Sequence, residues 1–229
     1  MRFFIPLVLA GIFVAPAPPA HASGDLKATL ARLDVAAAQF HTTTADFEFQ
    51  SVQTEPVPDS DLQKGVVYYR REGASFQMGV HIDDVDGQPI PKIITCCADG
   101  RVELYDIKPN QLTILNKLSQ YESWFMLGFG ASGKELAARW NITDDGPEKV
   151  DGVTTEKLEM VAKDPAVRRI FAKVTLWMDL ERGISLKQIF NEDPSHYRVC
   201  TYTNIKMNQP LPRDAFTIKT NRQTAVVNR

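Results

Sequence analysis

Cysteine is scarce in this 229-residue chain: Cys96, Cys97 and Cys200 are all there is. A chain of this length can bury a sizeable core without disulfides. Neighbouring residues on a strand face opposite sides, so at most one of the adjacent pair can reach Cys200; buried free thiols are the expectation. Charge of one sign is lacking too, with 26 basic against 28 acidic residues. That balance implies no basic face of the kind that nucleic acids select. His41, His81 and His196 have no metal-ligand spacing among them. Ser195-His196 lies in a proline turn without the strand-turn-helix setting of a nucleophile elbow. Asp84-Val85-Asp86-Gly87 matches the start of a calcium loop but lacks the later bidentate Glu, which leaves a solvated turn. Glu103 and Asp106 share a hairpin without further signs of an acid–base pair, and no glycine-rich phosphate cradle occurs. No constellation carries a reaction. The expectation is a protein that is not an enzyme, with no cofactor and no metal.

Long apolar runs are absent except at the start. Met1-Arg2 leads into an apolar stretch from Phe3 to Val14, which Pro16, Pro18 and Pro19 end, and Ala20-His21-Ala22 supplies small residues around a cut after Ala22. A short positive start, a short apolar core and an A-x-A ending define a secretory signal peptide over residues 1–22. The run falls short of the roughly 20 apolar residues that a spanning helix needs. Arg2 is its only charged side chain, so cleavage moves the net charge from −2 to −3. No cysteine follows the cut to take an acyl anchor. The mature chain, 23–229, is expected to be a soluble periplasmic protein of one domain.

Next comes a helix with one apolar face. Leu26, Leu30, Leu33, Ala37 and Phe40 recur at spacings of three and four, with Ser23 as its expected cap and Asp25 in its first turn. The period then drops to two: Ala45, Phe47 and Phe49 share one side of a strand, and Asp46, Glu48 and Gln50 the other. Strands follow at close intervals, at Gly65 to Arg71, Phe76 to Ile82, Ile93 to Ala98, Val102 to Ile107 and Leu112 to Leu115. Asp99-Gly100 marks a two-residue hairpin. From Asn116 to Ala138 alternation stops. Leu118, Tyr121, Trp124, Phe125 and Gly128 fit helical spacing, broken by Gly128, Gly130 and Gly133. A broken helical stretch of this kind suits a lid. Strands resume at Trp140 to Thr143, Thr154 to Val161, Phe171 to Asp179, Ile184 to Phe190 and Tyr197 to Ile205. The pattern predicts an α+β chain, mainly antiparallel β, as one strongly curved sheet with helices on one face. Phe47, Phe49, Phe76, Met78 and Val80 fall on its concave side, where an apolar ligand cavity would form.

This layout resembles the LolA family of periplasmic carriers of outer-membrane lipoproteins. The resemblance is carried by the Ser23-to-Lys27 helix start, its Phe40-His41 exit, the strand around Phe47-Phe49 and the Gly65-to-Arg71 strand. Asp99-Gly100-Arg101 leading to Leu104-Tyr105, the late strands and Asp214-Ala215-Phe216 complete it. It implies an unclosed β-barrel whose mouth is filled by helices and whose cavity takes acyl chains. It also implies a latch in which a basic pair ending the second strand holds the lid. Arg70 and Arg71 stand there, with Arg71 the better match, although Glu72 occupies the place where the family usually has Pro. Tyr121, Trp124, Phe125 and Phe129 would be the lid aromatics that a ligand displaces. The implied function is to shield acyl chains during transfer, as a monomer, between an inner-membrane release complex and an outer-membrane acceptor. An envelope glycolipid-binding protein and an envelope stress sensor are the alternatives.

Overall fold

The computed structural model describes residues 24–73, 75–96, 100–115 and 127–229. Residues 1–22, the expected signal peptide, and Tyr121, Trp124 and Phe125 of the expected lid lie outside them. In chain order the described elements are α1 (Leu26–Ala38), β1 (Thr42–Gln53), β2 (Asp59–Glu72), β3 (Ser75–Val85), β4 (Lys92–Cys96), β5 (Val102–Asp106) and β6 (Gln111–Leu115). There follow α2 (Gly133–Arg139), β7 (Trp140–Val150), β8 (Val153–Ala162), α3 (Pro165–Arg168), β9 (Lys173–Asp179), β10 (Ile184–Asn191), β11 (His196–Met207) and β12 (Ala225–Asn228).

The strands form one sheet in the order β12-β6-β5-β4-β3-β2-β1-β11-β10-β9-β8-β7. Every pairing is antiparallel except β12 with β6. Pairing β1 with β11 joins an early meander to a late one, and the end strands β12 and β7 do not meet. The sheet is therefore curled but unclosed, an α+β architecture with few helices. Among the described residues no helix is long and apolar enough to cross a membrane.

Three segments differ from the sequence reading. β2 begins six residues before Gly65, because the polar Asp59–Lys64 stretch continues the ladder to β1. β7 runs on to Val150 through a register shift between Asp144 and Pro147. It is an edge strand, where a proline's missing N–H costs little. β12 gives the sheet a strand that no alternation announced. The thiols divide: Cys200 is free and buried as expected, whereas Cys96 is disulfide-bonded.

Two apolar clusters fill the concave side. Leu33 of α1, Leu136 of α2, Phe171 and the inward residues of β8 and β9 form the first. Phe40, Phe47, Val67, Tyr69, Met78, Phe129, Leu186 and Tyr202 belong to the second. Asp25, one residue before α1, provides the cap expected of Ser23, accepting from the Lys27 and Ala28 amides at 3.1 and 3.2 Å. α2 opens with a capping box between Ser132 and Glu135. A Cβ at Gly133 would lie 2.1 Å from the Leu30 carbonyl oxygen, so the two helices cross closely only with glycine there. Behind the sheet the C-terminal segment passes just as close: a Cβ at Gly79 would meet the Ala215 carbonyl oxygen at 1.8 Å.

α1 is tied to the sheet by a buried carboxylate. Thr29 Oγ1 donates to Asp144 Oδ2 at 2.8 Å, and the Gly146 amide donates to Oδ1 at 3.0 Å. Burial, then the adjoining Asp144 carboxyl, push Glu156 up to about 7, against the opposing pull of Arg32. The folded state thus holds a proton that an unfolded Glu releases near its ordinary value. The stability this proton contributes is complete in acid and is lost as pH climbs through about 7. Glu156→Gln keeps a neutral partner for Asp144. The gain in melting temperature of Glu156→Gln over wild type is expected to grow between pH 5 and pH 8. A pH-independent difference in thermal unfolding scans would show that Glu156 does not carry the proton.

Candidate functional site

Strand register sorts the concave face into rows, because directly opposed residues point the same way. Next to Arg71 and Phe76, the first row runs Thr43, Tyr69, Met78, Cys96. The next holds Ala45, Val67, Val80 and Ile94. Phe47 then faces Tyr202 and Gly65, and Phe49 faces Cys200 and Gln63. Ser51 sits between Arg198 and Asp61 in the last row. Between the first row and the last lies a cavity of about 280 Å³. Phe47, Phe49, Val67, Tyr69, Met78 and Val80 line one side; Phe171, Gln188, Phe190, Cys200 and Tyr202 line the other, and Gln63 and Arg198 stand at its polar end. Ligand sites are typically ~300–1,000 Å³, apolar and provided with few polar groups, and this space lies at their small end.

Of the five sheet residues expected at the site, Phe47, Phe49, Met78 and Val80 line the cavity. Phe76 does not: it is buried against the Tyr69 ring at 5.6 Å, closing the Arg71 end. Residues of β10 and β11 enter the site without having been singled out. A register shift between Ser185 and Lys187 interrupts the alternation of β10, and a polar side chain such as Gln188 or Arg198 gives no sign in the sequence that it faces an apolar space.

Phe129 backs the end wall that Tyr69 and Tyr202 make. Its ring is fully buried, stacked on Tyr69 at 4.0 Å and set edge-on to Tyr202 at 4.8 Å. The glycines beside it have left-handed backbones, Gly128 at φ 82° and Gly130 at φ 66°. Ser185 N donates to Gly128 O at 2.7 Å, and Gly130 N donates to Gly183 O at 3.1 Å. Gln188 Nε2 donates to Leu127 O at 2.7 Å, while its Oε1 accepts from Tyr202 at 3.3 Å. Burial pushes the Cys200 thiol up to about 12 and raises both tyrosines, so these three groups are uncharged at neutral pH.

Arg71, at the end of β2, reaches over this wall. Its Nη1 donates to the Gly130 carbonyl and, at 3.2 Å, to Glu135 Oε2; its Nη2 donates to Glu135 Oε1 at 2.6 Å. Nε donates to Gly73 O at 3.3 Å. Burial works to raise the Glu135 pKa, but hydrogen bonds from Arg71 and Ser132 outweigh it and hold the carboxyl below its usual range. Arg70 points to the opposite face. It bonds Gln77 and lies over the Phe216 ring at 4.8 Å.

The other sequence candidates resolve into turns. Asp84 Oδ1 accepts from the Gly87 amide, and among the described residues no three His, Cys, Asp or Glu side chains gather as a metal site. Asp193 accepts from the amides of Ser195 and His196 and from His196 Nδ1, while Nε2 faces Gln53 Oε1 at 2.9 Å. The imidazole is occupied in holding that turn.

No family model and no curated protein matches this chain. Solved structures do match it in fold. MucB is 15% identical over 90% of this chain and 66% of its own, with a TM-score of 0.51. Lipoprotein LppX of Mycobacterium tuberculosis is 15% identical over 81% and 98%, at 0.47. A LolA superfamily protein of Nitrosomonas europaea is 14% identical over 84% and 97%, at 0.41. The resemblance read from the sequence thus finds solved members of that superfamily among the structural neighbours, and the likeness is one of fold.

The cavity assignment is tested by filling it. Ile94→Phe adds volume at a half-buried lining position, whereas Gln77→Phe adds it on the outer face. Ile94→Phe is expected to weaken binding of a neutral fluorescent apolar probe at least tenfold, and Gln77→Phe less than twofold. Equal effects in parallel titrations would mean that the face assignment is wrong.

Proposed function

We propose that this chain is a periplasmic carrier that shields the acyl chains of lipoproteins or of an envelope lipid in its concave cavity during transfer to the outer membrane. The observation that carries this reading is an apolar cavity whose end wall, Tyr69 and Tyr202, is backed by the buried Phe129 ring, mounted between two glycines and clamped by Arg71. Burying an acyl chain is worth about 0.8 kcal/mol per methylene. Release then requires an internal competitor of similar strength, and the Phe129 segment is such a competitor. Among the structural neighbours are an outer membrane lipoprotein-sorting protein domain from Vibrio parahaemolyticus and MucB in complex with MucA. On this reading the chain acts as one domain, without catalysis or cofactor, and delivers its cargo to a membrane-bound acceptor.

Native mass spectrometry of protein purified from its own periplasm tests the proposal. The expected result is a bound species with the mass of an acylated molecule. A stable membrane-protein partner with an empty cavity would instead support the stress-sensor reading, and a glycolipid mass would move the cargo to that class.

Arg71 is the latch in this proposal. It joins the sheet to the Gly130 carbonyl and to α2, and its planar fork serves both at once. A ligand that opens the wall must break these bonds, so Arg71→Leu removes a cost of cargo binding. The loss of charge-assisted hydrogen bonds of about 1–3 kcal/mol corresponds to roughly 5- to 150-fold. Acyl-probe titration and transfer kinetics are expected to show tighter binding and slower release for Arg71→Leu, with Arg70→Leu close to wild type. If Arg71→Leu also matched wild type, the wall would be held by packing alone.

A further inference from the structure

The cavity is asymmetric along the strands. One end is walled by Tyr69 and Tyr202, with Phe129 behind them; Gln63 and Arg198 stand at the other, toward the β1–β2 and β10–β11 hairpins. Arg198 is the single charged residue among the described residues that line the space. Its side chain is 39% exposed, which places the guanidinium at an opening rather than in the interior.

The local pairing of Arg198 is incomplete. Glu192 Oε1 approaches Arg198 Nη2 at 2.5 Å, yet this buried oxygen is not aligned with any hydrogen-bond donor. The ion pair engages one nitrogen of a group with five N–H donors in a fork suited to a planar oxyanion. Asp61, the other carboxylate on this row, is two strands away, roughly 10 Å by strand spacing. It is engaged by Gln63 Nε2 at 3.0 Å. Glu192 is thus the nearby competitor for Arg198, and a poorly aligned one.

We propose that Arg198 is the headgroup anchor of this cavity, and that the ligand is an amphiphile with a carboxylate or phosphate oxyanion at the end of its apolar chain. The chain runs from Arg198 past Phe49 and Phe47 toward the wall of Tyr69 and Tyr202, and the oxyanion takes the guanidinium from Glu192. Gln63, across the same end of the cavity on β2, offers an amide for the polar remainder of the headgroup. The inference rests on the reading of the cavity as an acyl site.

Displacement of the neutral probe N-phenyl-1-naphthylamine, at ligand concentrations below micelle formation, tests the two readings separately. The ligands are dodecanoate, methyl dodecanoate and dodecyl phosphate, and the proteins are wild type, Arg198→Gln, Arg198→Lys and Glu192→Gln, each checked for an unchanged melting temperature. Wild type is expected to prefer dodecanoate over its ester at least tenfold. Arg198→Gln should remove the preference by weakening the anion and leaving the ester unchanged, with Arg198→Lys in between. Glu192→Gln should strengthen anion binding. The stronger of dodecanoate and dodecyl phosphate identifies the headgroup chemistry. A wild type without preference, or a preference that survives Arg198→Gln, would overturn the anchor while leaving the acyl site standing. Failure of all three ligands to displace the probe would overturn the acyl site and the anchor with it.

Discussion

The burial of Phe129 between Tyr69 and Tyr202 governs how this sheet can exist in water. A curled, unclosed sheet presents one continuous apolar face, and α1 and α2 cover only the part of it over β7 to β10. Over the remainder, on β1 to β4 and β11, the described residues contribute the short segment that carries Phe129. Leu127 and Ala131 of that segment belong to the cluster under the helices, and Phe129 belongs to the other. Burying a side chain of this size contributes about 1.5–3 kcal/mol, and each favourable aromatic pair adds ~0.5–1.5. That is enough to close the face. It is also little enough for a few buried methylenes to replace.

The rows of the concave face explain why the space lies where it does. Inward positions of β1 and β2 pass from Tyr69 and Ala45 through Phe47 and Phe49 to Ser51 and Asp61. The large side chains at the Arg71 end meet one another and fill it. In the middle, Gly65 opposite Phe47 leaves room that no side chain of β2 fills. Strand pairing forces that glycine as well, since a Cβ there would lie 2.0 Å from the His81 carbonyl oxygen at the β2–β3 register shift. The same backbone irregularity that bends the sheet thus helps to hollow it.

Much of this fold was legible wherever one face of a strand is wet. The alternation of Ala45-Phe47-Phe49 and of Phe76-Met78-Val80-Ile82 placed both strands correctly, because in each the outward residues are polar. Legibility failed where the pattern carried no contrast. Asp59–Lys64 extends β2 with polar residues on both faces, and β12 is a four-residue strand at an edge. In β9 the alternation did sort the faces, with Val174, Leu176 and Met178 inward opposite Lys173 and Thr175, whereas in β10 the register shift after Ser185 interrupts it. Arg198 and Gln188 were invisible for a different reason: their meaning comes from what surrounds them in space. Arg71 was singled out through the family resemblance, while its partners Gly130 and Glu135 lie 59 and 64 residues on and carry no mark.

Glu135 shows how the proposed clamp can open without unravelling what it clamps. The carboxylate serves two partners, the Ser132 cap of α2 and the Arg71 guanidinium. If Arg71 withdraws, the capping box remains, so α2 keeps its first turn. α2 also remains fixed to α1, where Asp34 Oδ1 accepts from the Lys134 amide at 3.0 Å, and α1 remains fixed to β7 through Thr29 and Asp144. The helical half is therefore anchored by bonds that do not involve β2. What Arg71 holds independently of those anchors is the Gly130 carbonyl, next to Phe129 and between backbone positions that glycine makes permissive. Breaking the Arg71 bonds thus frees the stretch behind the Tyr69–Tyr202 wall and leaves in place the bonds that fix α2 to α1 and α1 to β7.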